Sequence, residues 1–376
     1  MLRRKIMIYN HVARHVNDTV QKRLDAIKIG QKMQDLPEEL WHESFRYYVK
    51  EDKNRKGGPN MRLIRLDPDK PSLTVTGYIF NKFVHPYENR YITVREAARL
   101  QGFPDEVEFK GSLTSTQQQV GNAVPVQLAE AIFNQVCAFA NKSGDRELNA
   151  FSLFCGAGGL DIGAHRARAG NCHINTRVAI DCWQDACDTL NAYLGNETKV
   201  IQQDISEVNE PMAYWLDNSG SDKGPDLVYG GPPCQAFSQA GKQKALKDPR
   251  GKLIYEYLRF IDALKPKYFV MENVSNIKSV DHGKLYQDIL CCMNEMGYNV
   301  TDGILLAADY GAPQMRRRAI FIGVLKEFGR INLPMPTRAD SINLFGLKPY
   351  MTVGEAFEGL PYLGVCKQDE KKKNAG

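Results

Sequence analysis

Short apolar, β-rich runs alternate with helix-length segments from residue 150 onward, and this alternation limits the folds open to the chain. The runs are AFSLFC (150–155), VAID (178–181), VIQQDI (200–205), DLVYGG (226–231), YFVMENV (268–274) and AIFIGVL (319–325). Strands separated by crossovers of this length form a mostly parallel sheet with helices on both faces. We therefore predict a doubly wound α/β fold, whose ligand site lies beyond the carboxyl ends of the strands.

The chain before residue 150 has a different character. Its first 60 residues are polar and partly helical in pattern, and a proline-punctuated extended stretch follows at 65–80. Helices are predicted at 93–101 and from Pro125 to Ala140, and the polar segment NKSGDREL (141–148) has the composition of a linker. Residues 337–376 have no alternating pattern and end in a charged tail.

Composition excludes several classes of protein. With 43% hydrophobic and 25% charged residues, the chain matches ordinary soluble proteins rather than disordered ones. It has no apolar run long enough to span a bilayer, and its basic N-terminus lacks the apolar core of a secretory signal. The nine cysteines form no CxxC pair and no zinc-type cluster. We expect reduced thiols, a cytoplasmic location and no metal.

Positive charge is concentrated at the two ends of the chain. Residues 1–60 contain 13 Lys and Arg against 8 Asp and Glu, and residues 367–376 contain four lysines against two acids. Such clusters are typical either of a solvated surface or of a nucleic-acid contact, and the sequence leaves both open.

A glycine-rich turn and two acids predict a cofactor site. The first strand runs into FCGAGGLDIG (154–163), where Gly156, Gly158 and Gly159 allow a tight turn and close approach to a ligand. Asp181 ends the next strand, where a carboxylate would meet ribose hydroxyls, and Asp204 follows the third strand. No phosphate-binding lysine accompanies the turn, which favours an adenosyl cofactor without phosphates.

The next two strand ends carry reactive groups. PDLVYGGPPCQAFS (225–238) places Cys234 in a stiff Gly/Pro loop, which favours a nucleophile over a core cysteine. Glu272 ends the following strand and is either functional or a cap for the next turn. Arg316 and Arg318 share one face before the last strand, although an arginine triplet alone is more often a solvated surface.

Taken together, these segments resemble the DNA (cytosine-5)-methyltransferases. LFCGAGGLDIG, GGPPCQAFS, MENV and PQMRRR occur in that family's order, whereas REAARLQGFPD (95–105) and QQVGNAVPVQLA (118–129) resemble its ninth and tenth motifs and here come first. The resemblance covers roughly residues 62–336 and implies a circularly permuted member with a Rossmann-like S-adenosylmethionine-dependent fold.

The resemblance also implies roles for individual residues. A cytosine flipped out of double-stranded DNA would be attacked at carbon 6 by Cys234 and held at N3 by Glu272, with Arg318 and Arg316 holding the base or the cysteine loop. Carbon 5 would then take the methyl group of S-adenosylmethionine. The implied cofactor residues are Phe154, Gly156, Gly158, Gly159, Leu160, Asp181, Trp183, Asp204, Ile205 and Asn122. Asp181 departs from the family's usual glutamate and is one methylene shorter.

A circular permutation would bring the two basic ends of the chain together in one domain. Residues 1–112 and 337–376 would form a small target-recognition domain and residues 113–336 the catalytic domain, with Met1 and the tail near Gly376 on the same lobe. We expect a monomer of bacterial or phage origin that modifies a specific DNA sequence, alone or beside a restriction endonuclease. Methylation of tRNA, and a catalytically silent DNA-binding role, remain alternatives.

Overall fold

The structure is a computed structural model that describes residues 8–51, 62–77, 82–233, 252–340 and 346–363. Its α-helices are α1 (Asp18–Ala26), α2 (Glu43–Lys50), α3 (Val94–Leu100), α4 (Leu113–Asn122), α5 (Val126–Lys142), α6 (Gly159–Arg166), α7 (Gln184–Leu194), α8 (Pro211–Ser219), α9 (Lys252–Leu264), α10 (Lys284–Glu295) and α11 (Val353–Phe357). Its strands are β1 (Ile64–Arg65), β2 (Ser72–Leu73), β3 (Phe83–Val84), β4 (Glu147–Leu153), β5 (Arg168–Ala169), β6 (Cys172–Asp181), β7 (Lys199–Gln202), β8 (Leu227–Gly230), β9 (Tyr268–Val274), β10 (Tyr298–Leu306), β11 (Gln314–Met315), β12 (Arg317–Leu325), β13 (Arg338–Ala339) and β14 (Lys348–Pro349).

One eight-stranded sheet organises the catalytic part of the chain. Its strand order is β10-β12-β9-β8-β4-β6-β5, and β7 pairs with the other half of β6. Strands β4, β6, β7, β8 and β9 are parallel, whereas β12 runs antiparallel between β9 and β10. The predicted mostly parallel sheet is confirmed, and the six predicted strands are all present.

Helices cover both faces of this sheet, as a doubly wound fold requires. Alternate strand residues point to opposite faces. Tyr229 of β8 packs with α5 and α6, whereas its neighbour Val228 packs with α8 and α9 on the other face. The order of the strands and their direction bring the carboxyl ends of β4, β6, β8 and β9 to one edge of the sheet.

The predicted linker is shorter than expected. Helix α5 continues to Lys142 and β4 already begins at Glu147, so that only residues 143–146 connect them. The helix lasts two residues longer than predicted because Asn141 and Lys142 continue its hydrogen-bonded last turn. Leu148, which was predicted to be in the linker, lies in β4, where its side chain is buried in the core and only 1% exposed.

A second, smaller core lies outside the sheet. Helix α1, α2 and the loops beside them enclose a cluster around Leu24, Met33 and Phe45. The described ends of the chain meet nearby: the His11 Nε2 lies 2.9 Å from the Pro361 carbonyl oxygen, and the Leu363 N–H donates to Glu88. Met1 and Gly376 themselves lie outside the described residues, and the domain boundaries stay a prediction.

Within the described ranges, no single helix is long and apolar enough to cross a membrane. Helices α4 and α5 would pass that test only as a pair, bent by 41°.

Candidate active site

A cavity of about 440 Å³ opens at the carboxyl edge of the sheet. It is of the size that small-molecule sites commonly have. The predicted residues in its wall are Asn122, Phe154, Gly156, Gly159, Leu160, Asp181, Trp183, Asp204, Ile205, Glu272, Arg316 and Arg318. Gly158 is outside the wall, and Cys234 lies outside the described residues. The structure therefore brings the predicted cofactor residues other than Gly158, together with the predicted Glu and Arg side chains, to one site.

The glycine-rich turn has an unusual backbone conformation. Phe154 has φ +54° and Gly156 φ +53°, and Gly158 caps α6 with φ +87°. A bulky residue such as Phe154 rarely adopts a positive φ, and such strain is commonly kept at functional sites. A Cβ on Gly159 would lie 2.3 Å from the Val124 carbonyl oxygen. The absence of a side chain there lets α6 begin directly beside the loop that precedes α5.

Asp181 fastens this turn to the sheet. Its two carboxylate oxygens accept hydrogen bonds from the Gly156 N–H at 2.8 Å and from the Trp183 N–H at 2.9 Å. Burial raises the pKa of Asp181, while these backbone hydrogen bonds act in the opposite direction. The Cys182 thiol and backbone also hydrogen-bond to this carboxylate, which forms part of the cavity wall. Asp204 Oδ1 accepts from the Ser206 N–H at 2.9 Å and from the Ser206 hydroxyl at 2.7 Å, and its Oδ2 has no partner in the part of the chain that the structure describes.

Glu272 is paired with Arg318 at the edge of the cavity. Glu272 is 8% exposed, and its Oε1 lies 2.6 Å from the Arg318 Nε. Burial raises the pKa of Glu272, whereas the Arg318 and Arg316 charges lower it. The pair is a charge-assisted hydrogen bond at the wall of the cavity, where a polar ligand can reach it.

The neighbouring Asn273 has a role that the sequence did not indicate. Its Nδ2 donates to the Pro232 carbonyl oxygen at 2.9 Å, and its Oδ1 accepts from the Val274 N–H at 2.9 Å. The turn after β9 (Ser275–Lys278) has no side-chain cap. Asn273 instead fixes the end of the strand. It also ties that strand end to the Gly231–Pro233 segment that leads to Cys234. The predicted alternative, that Glu272 is the cap, is not what these bonds show.

Arg316 and Arg318 have different surroundings. Arg316 is 2% exposed and donates to the Val75 carbonyl oxygen at 2.6 Å and to the Gly121 carbonyl oxygen at 2.9 Å. Burial, and to a smaller extent the Arg318 charge, lower the pKa of Arg316 to about 9. Arg316 thus joins the segment after β2 to the end of α4, whereas Arg317 between the two is exposed.

A group of acids and a histidine occurs away from the cavity. His85, Glu88 and Glu96 are buried, and their ligand atoms lie within 4.8 Å of one another, a spacing that could hold a cation. The Arg90 guanidinium, however, donates to the carboxylates of both Glu88 and Glu96. Burial lowers the pKa of His85 to about 4, so that its ring is neutral at pH 7. The charges of this cluster are satisfied by arginine.

Comparison with known proteins shows the family of this chain. The family model for C-5 cytosine-specific DNA methylases matches residues 3–138 and 148–347, which is most of the chain. The chain belongs to the C-5 cytosine-specific DNA methylase family. Methyl transfer to cytosine in DNA and S-adenosylmethionine as methyl donor come with this family, so the predicted family, fold and cofactor are confirmed.

The chain is also similar to individual proteins. The chain is 38% identical to the type II methyltransferase M.AquIA of Picosynechococcus over 57% of its length and 90% of that protein. It is 34% identical to M.NgoFVII of Neisseria gonorrhoeae over 58% of its length but only 55% of that protein. A solved structure, assigned as a DNA modification methyltransferase from an E. coli prophage, is 29% identical, with a TM-score of 0.45 over 57% of this chain and 56% of that one. Beyond M.AquIA, the chain spans about half the length of the curated relatives it matches.

The residues present fit S-adenosylmethionine. The cavity has apolar walls at Phe154, Leu160 and Ile205, which suit an adenine ring and a thioether. Asp204 Oδ2 has no partner among the described residues and can accept a hydrogen bond from a hydroxyl or amino group. Gly159 lies so close to the Val124 carbonyl oxygen that a side chain would not fit there, so the turn presents only backbone atoms at this position.

Proposed function

We propose that this chain transfers a methyl group from S-adenosylmethionine to carbon 5 of a cytosine within a short DNA sequence. The observation that carries the proposal is the buried Glu272–Arg318 pair in the wall of the same cavity as the glycine-rich turn, in a chain of this family. One cavity can thus hold the methyl donor and a base side by side. Both relatives are named type II methyltransferases, and the matching family model is that of DNA methylases, which supports DNA as the substrate.

The chemistry at the base is assigned to the residues at the strand ends. The Cys234 thiolate adds to carbon 6 of the flipped cytosine, which makes carbon 5 nucleophilic. Glu272 donates or shares a proton at N3 and stabilises the charge that develops there. S-adenosylmethionine, when bound, supplies the methyl group to carbon 5. A base then removes the carbon-5 proton, and elimination at carbon 6 releases Cys234.

Other residues would position these groups. Arg318 orients Glu272 toward the base, and Arg316 holds the backbone around it. Asn273 fixes the segment that leads to Cys234 through its bond to Pro232.

The cofactor contacts are proposed for the remaining residues of the wall. Phe154 would stack on the adenine with Ile205 and Trp183 beside it, and Asp204 would accept from the adenine amino group. Asp181 would bind the ribose while it holds Gly156. Leu160 and Asn122 would contact the methionine part, and Gly158 would shape the turn without touching the ligand.

The permuted motif order is part of the proposal. The family match is interrupted between residues 138 and 148, where the tenth-motif helix α5 is joined to the first strand β4. The contact between His11 and Pro361 supports a single lobe formed from both ends of the chain. We further propose a cytoplasmic monomer, with a cognate restriction endonuclease as a partner of the system.

Methyl transfer from S-[methyl-³H]adenosylmethionine tests this function. Purified protein should label unmethylated bacterial genomic DNA and should not label bulk tRNA. Cys234→Ser should reduce labelling by at least about 10⁴-fold, because the nucleophile is lost, while cofactor affinity stays within about twofold. Labelling of tRNA alone would replace DNA as the substrate. Undiminished labelling by the Ser variant would remove Cys234 from its role.

A further inference from the structure

Arg316, in the wall of the cavity, is a buried cation, and one of its hydrogen-bond donors has no partner among the described residues. It lines the cavity at 2% exposure, and no described carboxylate lies within ion-pair distance of it. Its two terminal nitrogens donate to carbonyl oxygens of Val75 and Gly121. Its Nε is buried and has no hydrogen-bond partner among the described residues.

Lys82 is a second cation attached to the same short stretch of backbone. Its Nζ donates to the Thr74 carbonyl oxygen at 2.6 Å and lies 4.8 Å from the centre of the Phe83 ring. Thr74 and Val75 are consecutive, so Lys82 and Arg316 bind consecutive carbonyl groups after β2. Lys82 is half-buried and is not part of the cavity wall, and its link to the cavity is the backbone that it shares with Arg316.

Neither cation forms an ion pair within the described ranges, although the Glu272 charge acts on Arg316 from a longer distance. Arg318 is paired with Glu272, and Arg90 with Glu88 and Glu96. Lys82 has no such partner within the described ranges, where the charged group acting on it is Arg316. Burial and the Arg316 charge lower the pKa of Lys82 to about 8. Holding unpaired positive charge in a buried place costs free energy unless an anion binds there.

We propose that Lys82, next to Arg316, binds a backbone phosphate of the DNA beside the flipped cytidine. This inference rests on the proposed function, which supplies the DNA, and adds to it a residue that the motifs do not contain. A lysine has three donors, and two of those on Lys82 are left after its bond to Thr74. The phosphate is permanently charged and would bind at Lys82, outside the cavity wall, while the base occupies the cavity.

DNA affinity as a function of salt and pH tests the proposal. Fluorescence anisotropy of a labelled 30-base-pair duplex would be measured with the wild type, Lys82→Met, Lys82→Arg and Lys265→Met. Lys265 is a matched control, because it is an exposed lysine paired with Asp262 before the amino end of β9, at the opposite edge of the sheet. Methyl transfer to genomic DNA is measured separately and reports on the proposed function.

Lys82→Met should weaken binding about tenfold, because one charge-assisted hydrogen bond is lost. Its plot of log affinity against log salt should be shallower by about 1, the signature of one lost phosphate contact. Wild-type affinity should fall as the pH rises through about 8, since neutral lysine does not attract phosphate. Lys82→Arg should bind like the wild type at pH 7 and lose that pH dependence, and Lys265→Met should match the wild type throughout.

The outcomes test the phosphate contact of Lys82 separately from the proposed methyl transfer. An unchanged affinity and salt slope in Lys82→Met would overturn the phosphate contact even if methyl transfer is normal. Loss of turnover in both Lys82 variants with unchanged DNA affinity would overturn it in favour of a chemical role. If the wild type binds DNA but transfers no methyl group, the proposed function fails while the affinity data still decide the contact.

Discussion

At the scale of single residues, two opposing influences act on the pKa of Glu272. Burial raises its pKa, and the Arg318 guanidinium, 2.6 Å away, together with Arg316 lowers it. A carboxyl group that must donate to N3 of cytosine works only while it can keep or share its proton. In the proposed reaction, the balance between burial and Arg318 would therefore set the upper pH limit.

Removing the Arg318 charge should shift that limit upward. In Arg318→Gln the pKa of Glu272 rises, since the cation that lowered it is gone, and the basic limb of the kcat–pH profile moves to higher pH. The residual rate should be about 10²–10³-fold lower, as when an oriented electrostatic group is lost. Arg317→Gln, at the exposed neighbouring position, should leave the profile unchanged. A limb that stays in place or moves to lower pH in Arg318→Gln would contradict this assignment.

The residue types were predictable from the sequence, but their partners were not. The strand ends and the glycine-rich turn predicted Asp181, Glu272 and the arginines. Arg316, however, finds its acceptors 241 and 195 residues away in the chain, on segments with no recognisable pairing signal. Asn273 was visible beside Glu272, yet its bond to Pro232 depends on how two neighbouring strands end.

At the scale of elements, α5 and α6 decide how the amino-terminal part of the chain joins the catalytic sheet. A Cβ on Gly163 of α6 would lie 2.4 Å from the Ala129 Cβ and 2.7 Å from the Glu130 nitrogen of α5. These contacts are with backbone and a short side chain, which cannot rotate away. The two helices therefore pack closely only because Gly163 has no side chain.

Gly163→Ala should thus destabilise the protein without touching the cofactor site. We expect a loss of about 1–3 kcal/mol in the free energy of unfolding, the usual cost of overpacking, measured by urea denaturation. Gly224→Ala is the control, because the atom nearest its added Cβ is the flexible Met212 methyl at 3.2 Å. Equal stability of the two variants would show that close α5–α6 packing is not needed.

Predictability also differed between elements. Strands β4, β8 and β9 were predicted because they are buried on both faces and read as continuous apolar runs. Strand β10 was missed because it lies at the edge of the sheet and carries polar residues such as Asn299, Thr301 and Asp302. Helix α11 has only five residues, too few to show a helical period.

At the scale of the whole molecule, the two described ends of the chain lie together. His11 contacts Pro361, and the Leu363 N–H donates to Glu88 within the buried cluster around Arg90. The connection between α5 and β4, by contrast, is four residues long and includes the exposed Gly144. In a chain with the usual motif order, these two ends would be joined, and the termini would lie between α5 and β4.

Reordering the chain should therefore preserve activity. Joining the two ends through a flexible linker and opening the chain between Ser143 and Gly144 keeps every strand and helix intact. We expect methyl transfer within about tenfold of the parent, because tolerated openings fall at exposed loops. A folded product, judged by circular dichroism, without activity would contradict the permuted arrangement.

The central claim is that this chain methylates cytosine in a defined DNA sequence through Cys234. Bisulfite sequencing of genomic DNA from a methylation-free host expressing the chain, beside a host expressing Cys234→Ser, tests it most directly. The account predicts protected cytosines in one short sequence motif with the parent chain and none with the Ser variant. Soluble parent protein without protected cytosines, or equal protection by the Ser variant, would contradict it.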